Sequence, residues 1–239
     1  MTVVAIIQAR MGSTRLPGKV LLDLAGEPML ARVVSRVRRS RLVDEVLVAT
    51  TTEKPDDALA ALCAERGWLC FRGSESDVLD RYYQAARSRG AEVVVRITSD
   101  CPLIDPAIID SAIEGLKLQQ ADYCANVIRR TYPRGLDVEA FLFATLETAW
   151  REAHRPEWRE HVTPFILQNP GRFALTNLSS DENHSDLRWT VDTPEDFDLV
   201  RRIYEHFARD DFSWKEALAL LIQHPQWNEI NRHIEQKKV

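Results

Sequence analysis

The chain has 239 residues, 45% hydrophobic and 28% charged, with a net charge of −5. That length suits one domain with a substantial core, and the acidic balance excludes a general nucleic-acid binder, which carries a basic face. No apolar run approaches the roughly 18 residues of a membrane span, and the N-terminus lacks the cationic start and long apolar core of a secretory signal, so no membrane partner and a cytoplasmic location are expected.

Residues 2–8 (TVVAIIQ) form a short β-branched apolar run, the pattern of a fully buried strand. Residues 9–19 (ARMGSTRLPGK) follow, with two glycines, a proline and three cations. They read as a loop at the carboxyl end of that strand, the edge where open α/β sheets bind ligands. Gly12 and Ser13 can offer backbone N–H groups as an anion nest, while Arg10, Arg15 and Lys19 supply charge. A phosphate-rich ligand suits this loop better than plain solvation does. Residues 28–39 place Leu30, Val33, Val34 and Val37 on one helical face. Strands are expected at 45–50, 68–71 and 93–97. Helices are expected at 56–66, 76–89 and 106–118, the last with Pro106 in its first turn. The alternation predicts a three-layer α/β fold: a mostly parallel Rossmann-like sheet with helices on both faces.

The pattern changes after residue 120. Extended segments are expected at 123–128 and 136–141, helices at 142–152 and 158–168, and strands at 173–178 and 187–191. Thr193-Pro194-Glu195-Asp196 is a capped helix start, and two last helices are expected at 214–222 and 227–237. The whole chain reads as a single domain, 1–239, with 123–190 inserted as a β-hairpin and helical region. Cys63, Cys70, Cys101 and Cys124 show no CxxC pairing and are expected as buried free thiols.

Two carboxylates follow apolar strands. Asp100 lies in Thr98-Ser99-Asp100-Cys101-Pro102, and Asp192 in Trp189-Thr190-Val191-Asp192-Thr193-Pro194. A turn before Pro102 would explain the first and a helix N-terminal charge the second. Thr193, Glu195 and Asp196 suffice for that helix start, which leaves Asp192 for another role. Mg²⁺ takes one or two carboxylates plus substrate phosphates, so the pair is a candidate metal site. Two adjacent carboxylates repel unless a cation lies between them, so neutralising either should hold or raise the melting temperature. Ser76 or Asp77 would cap the helix that Ser74 to Arg81 opens. Asn126, Arg134, Asp137, Glu139 and His161 are spaced to permit a polar acceptor pocket in the inserted region. There is no G-x-S-x-G elbow and no GxGxxG after the first strand, which argues against a serine hydrolase and a nicotinamide dehydrogenase.

The stretch IIQARMGSTRLPGKVL resembles the N-terminal signature of the cytidylyltransferases that make CMP-activated sugars, and the whole chain is similar to their spore-coat polysaccharide SpsF-like branch. Arg10, Ser13, Arg15, Leu16, Pro17, Gly18 and Lys19 carry the resemblance in order and spacing. GSESDVLDRYYQAA and VDTPEDF extend it. The resemblance implies a nucleotide-diphospho-sugar transferase fold and Mg²⁺-dependent transfer of CMP from CTP to a small sugar or sugar acid. It also implies a homodimer with 123–190 at its interface. Nucleotide contacts are implied at Ala9, Arg10, Met11, Gly12, Ser13, Arg15, Lys19, Arg72, Ser74, Asp77, Arg81 and Ser99. Catalytic roles fall to Arg10, Lys19 and Asp100, metal ligation to Asp100 and Asp192, and acceptor binding to Asn126, Arg134, Asp137, Glu139 and His161. A nucleotide-sugar glycosyltransferase is an alternative, but Ser99-Asp100-Cys101 is not a DxD motif. A catalytically silent nucleotide-binding protein is another, and Asp100 and Asp192 beside Lys19 speak against it.

Overall fold

The computed structural model describes residues 1–236. Strands β1 (Val3–Gln8), β2 (Glu45–Thr51), β3 (Leu69–Gly73) and β4 (Val93–Thr98) pair in parallel, with β1 central between β2 and β4. Three short strands, β5 (Tyr123–Ala125), β6 (Glu139–Leu142) and β7 (Leu175–Asn177), complete one seven-stranded sheet in the order β3-β2-β1-β4-β6-β5-β7. Only β6 runs against the rest: it is antiparallel to β4 and β5, while β5 and β7 are parallel. The segment after residue 120 thus extends the sheet.

Strands buried on both faces need Val and Ile throughout, and β1, β2 and β4 supply them. One face packs α1 (Met29–Val37), α2 (Asp57–Glu65), α4 (Pro106–Leu118), α8 (Pro194–Phe207) and α9 (Trp214–Gln223) into the larger core. The other packs α3 (Val78–Ser88), α5 (Phe143–Glu152) and α7 (Pro164–Leu167), with α6 (Pro156–His161) lying on α3. A four-residue α10 (Pro225–Asn228) follows α9.

Four expectations change. The helix expected over 158–168 divides into α6 and α7, because buried Val162 takes φ +71° and Pro164 starts a new helix. Residues 187–191 form no strand; they make one isolated bridge, Arg134 to Arg188. The helix expected over 227–237 gives way to α10 and turns, and residue 237 lies outside the described residues. Cys63, Cys101 and Cys124 are buried free thiols, but Cys70 is exposed. No helix among the described residues is long and apolar enough to cross a membrane.

Candidate active site

The parallel strands β1 and β4 end side by side, with Gln8 opposite Thr98. Each hands a loop to the same edge. The first loop is anchored below by Asp56, which accepts from the Met11 N–H at 2.7 Å. Ala9 stays in the core and donates to the Ala49 carbonyl. The N–H groups that Gly12 and Ser13 could offer to an anion are not both free. The Ser13 N–H donates to the Met11 carbonyl at 2.8 Å, and Gly18, not Gly12, takes the left-handed conformation at φ 68°. Gly18 turns the chain into a short 3₁₀ segment, Lys19–Leu21, which buries the Lys19 side chain.

Lys19 is the centre of the constellation. Its ammonium donates to the Val191 carbonyl at 2.7 Å, to Asp192 Oδ1 at 2.9 Å and to Asp100 Oδ2 at 3.3 Å. Burial pushes its pKa down, but Asp100 and Asp192 more than offset this and hold it above the ordinary lysine value. The two carboxylates meet because the Val191 N–H donates to the Asp100 carbonyl at 2.8 Å, which ties segment 187–192 to the end of β4. Asp192 also receives Arg15 at 2.8 Å and Arg188 at 3.0 Å on Oδ2. Burial raises its pKa, but Lys19, Arg15 and Arg188 together pull it below the usual carboxylate value. Asp196 closes a capping box with Thr193 at the start of α8, so Asp192 is not the cap. Asp100 Oδ1 accepts the Thr98 hydroxyl at 2.6 Å.

A cavity of about 310 Å³ opens over this cluster. Of the sequence candidates, Arg10, Gly12, Ser13, Arg15, Lys19, Ser99, Asp100 and Asp192 line it. Gln8, Thr14 and Thr98 line it too and were not anticipated. Neither was Arg188, whose guanidinium clamps Asp192 and Asp196. Its position four residues before Asp192 is the one sequence signal that could have found it. Roomier cavities exist, one of about 390 Å³ beside Arg134 and Arg188 and one of about 510 Å³ beside Trp68. Volume does not choose between them; of these three, the 310 Å³ cavity is the one that brings Asp100 and Asp192, a buried ammonium and two strand ends together.

The other candidates do not line this cavity, although Glu75, next to Ser74, pairs with Arg10 at 3.6 Å. Arg72 donates to the Thr51 and Glu53 carbonyls and pairs with Asp57. Ser74 accepts from the Asp77 N–H, and Asp77 caps α3 and pairs with Arg159. Arg81 is fully buried, with one bond to the Ser74 carbonyl, and its Nε and second terminal nitrogen find no partner among the described residues. In the acceptor set, buried Asn126 pins the Leu136 carbonyl and the Val138 N–H. Glu139 is paired with Arg96 and accepts from the Tyr123 hydroxyl at 2.6 Å. Asp137 pairs with Arg130 at 2.5 Å. His161 ends α6, half-buried. Arg134 makes no ion pair among the described residues; burial, with Arg130 and Arg188 nearby, lowers its pKa against the opposing pull of Asp137.

No set of three or more His, Cys, Asp and Glu suited to a metal occurs among the described residues. A carboxylate pair is nonetheless what Mg²⁺ uses when phosphates complete its shell. Here three oxygens already converge on one cation, the Lys19 ammonium, so the donor set fits a hard metal ion.

A mostly parallel sheet between two layers of helices, with a cation-rich loop after its first strand and two carboxylates at the same edge, suits a nucleotidyltransferase. Residues 4–230 match the cytidylyltransferase family model, and the chain belongs to that family. It is 35% identical to the spore coat polysaccharide biosynthesis protein SpsF of Bacillus subtilis (strain 168), over 92% of this chain and 94% of that protein. It is 42% identical to a 3-deoxy-manno-octulosonate cytidylyltransferase of Anaeromyxobacter dehalogenans (strain 2CP-C), over 84% of this chain and 97% of the relative. The solved structure of a cytidylyltransferase from Leptospira borgpetersenii superposes with a TM-score of 0.92 at 32% identity, covering all of both chains.

Proposed function

We propose that the protein transfers CMP from CTP to a hydroxyl of an acidic sugar used in a surface polysaccharide, releasing pyrophosphate, with Mg²⁺ as cofactor. The observation that carries this reading is the Lys19–Asp100–Asp192 cluster at the floor of a cavity whose wall holds Arg10, Ser13 and Arg15. Nucleotidyl transfer asks little covalent work of the protein, so positioning and charge neutralisation dominate. Arg10, Arg15 and Lys19 would hold the triphosphate and offset the charge on departing pyrophosphate. Asp100 and Asp192 would hold Mg²⁺, which when bound polarises the α-phosphate and lowers the pKa of an oxygen it touches. We assign further nucleotide contacts to Ser99 and to the Arg72–Arg81 segment. The enzyme would work in the cytoplasm as a homodimer.

Pyrophosphate release from each of four NTPs against a panel of neutral and acidic sugars tests the reading. Release with CTP and an acidic sugar is expected; release with no CTP–sugar pair would sink it.

Arg134 is the proposed acceptor cation, because it lies near Arg130 and Arg188 and makes no ion pair among the described residues, Asp137 being paired with Arg130. A carboxylate or phosphate on the acceptor would pair with it. Arg134→Ala is expected to raise the acceptor KM about tenfold or more, on the scale of a charged hydrogen bond, with little change in the CTP KM. Steady-state kinetics with each substrate varied in turn gives the answer, and an effect confined to CTP would remove Arg134 from the acceptor site.

A further inference from the structure

We propose that Lys19 keeps the Asp100–Asp192 pair closed to free divalent metal, so that metal enters only together with nucleotide. The inference rests on the reading of these two carboxylates as the metal-holding pair. The three protons of the Lys19 ammonium are matched by three acceptors: Val191 O, Asp192 Oδ1 and Asp100 Oδ2. These are the oxygens that would face a metal, and the ammonium occupies the point on which they converge. Its side chain is only 10% exposed, and the 3₁₀ turn holds its backbone. The remaining oxygens are engaged as well. Asp192 Oδ2 takes Arg15 and Arg188, and Asp100 Oδ1 takes the Thr98 hydroxyl. The pair therefore carries no uncompensated negative charge. A bare divalent ion would meet a buried like charge at bonding distance, in surroundings where charges are poorly screened.

A nucleotide changes this balance. A triphosphate brings several negative charges to the mouth of the cavity, where Arg15 is 38% exposed. Phosphate oxygens offer Lys19 and Arg15 new acceptors. When the ammonium moves to them, Asp100 Oδ2 and Asp192 Oδ1 are freed in one step, beside the phosphates that complete a hard cation's shell. The same lysine thus serves two states: it neutralises the carboxylates in the free protein and the triphosphate in the loaded one.

The test is Mn²⁺ binding by the full chain, read from the electron paramagnetic resonance of free Mn²⁺, with circular dichroism melts to show that each variant is folded. Without nucleotide, Lys19→Met and Lys19→Gln are expected to bind Mn²⁺ at least about tenfold more tightly than wild type, as removal of an adjacent like charge requires. Adding Asp100→Asn to either should abolish the gain. Lys19 variants no tighter than wild type would overturn the proposal. So would tight Mn²⁺ binding by nucleotide-free wild type that Asp100→Asn removes, a measurement that needs no lysine variant to fold. A second arm compares wild type plus CTP with CTP alone. Extra Mn²⁺ uptake that Asp100→Asn removes upholds the metal reading even if the lysine variants fail their test, whereas no extra uptake overturns both.

Discussion

Asp100→Asn and Asp192→Asn are each expected to lower kcat by about 10²-fold or more, the scale of losing one electrostatic contact to a transition state, but only Asp192→Asn should lower the melting temperature substantially. The sequence suggested that neutralising either carboxylate would relieve repulsion and leave stability unchanged or higher. The structure reverses this for Asp192, because a buried ammonium already lies between the two groups. Asp192 is 13% exposed and compensates Lys19, Arg15 and Arg188; Lys19 and Arg188 are themselves 10% and 6% exposed. Removing one partner of a buried charge cluster leaves Lys19 and Arg188 with one carboxylate each, Asp100 and Asp196, and the cluster with an unmatched positive charge, which costs about 3 kcal/mol and several degrees of melting temperature for a chain of this size. Asp100 is 28% exposed and makes the longest of the three Lys19 contacts, so its loss leaves that ammonium two good acceptors. The double variant should turn over little more slowly than either single one, since the two act as a unit. Pyrophosphate release measured beside thermal melts separates the outcomes. Near-normal turnover in either single variant would exclude that residue from the site, and an unchanged melt for Asp192→Asn would contradict the charge cluster.

What could be read from the sequence was local. β1, β2, β4 and α4 follow from apolar runs and caps that lie within each segment. The first loop announces itself by three cations directly behind a buried strand. Asp100 and Asp192 stand out because each follows an apolar stretch and each had a neighbour able to do its structural job. What could not be read depends on partners remote in the chain. Residues 187–191 look like a strand, but their backbone bonds go to Arg134 and Asp100 instead of to a ladder. Lys19 reads as a phosphate cation; that it bridges two carboxylates follows only once the 187–192 segment is folded against β4. Glu139 reads as a pocket acid, yet the antiparallel register of β6 places it opposite Arg96, which neutralises it. The break between α6 and α7 rests on a positive φ at Val162, a conformation no helical pattern predicts for a β-branched residue.

That dependence on remote backbone makes Gly135→Ala the most damaging small substitution expected here. Gly135 has φ +101°, outside the range an L side chain adopts without strain. A Cβ there would come within 2.5 Å of the Thr190 nitrogen and 2.5 Å of the Trp189 carbonyl carbon. Those are backbone atoms, so no rotamer change can relieve the overlap. The neighbouring residue holds the same contact: the Arg134 N–H donates to the Leu187 carbonyl at 2.9 Å, and the Trp189 N–H donates to the Arg134 carbonyl at 2.7 Å. Pushing residues 189–190 away would break this bridge and shift the segment that carries Val191 and Asp192 onto Lys19. Trp189, fully buried in the larger core, would move with it. Left-handed strain adds about 1–2 kcal/mol, and forced overpacking about 1–3 kcal/mol more. A loss of about 4 kcal/mol is therefore expected, among the largest effects of single substitutions, and any folded fraction should turn over poorly. Urea unfolding of the purified variant measures the first effect, and pyrophosphate release per folded molecule measures the second. A variant as stable and active as wild type would mean that the 134–135 turn does not hold the Asp192 segment in place.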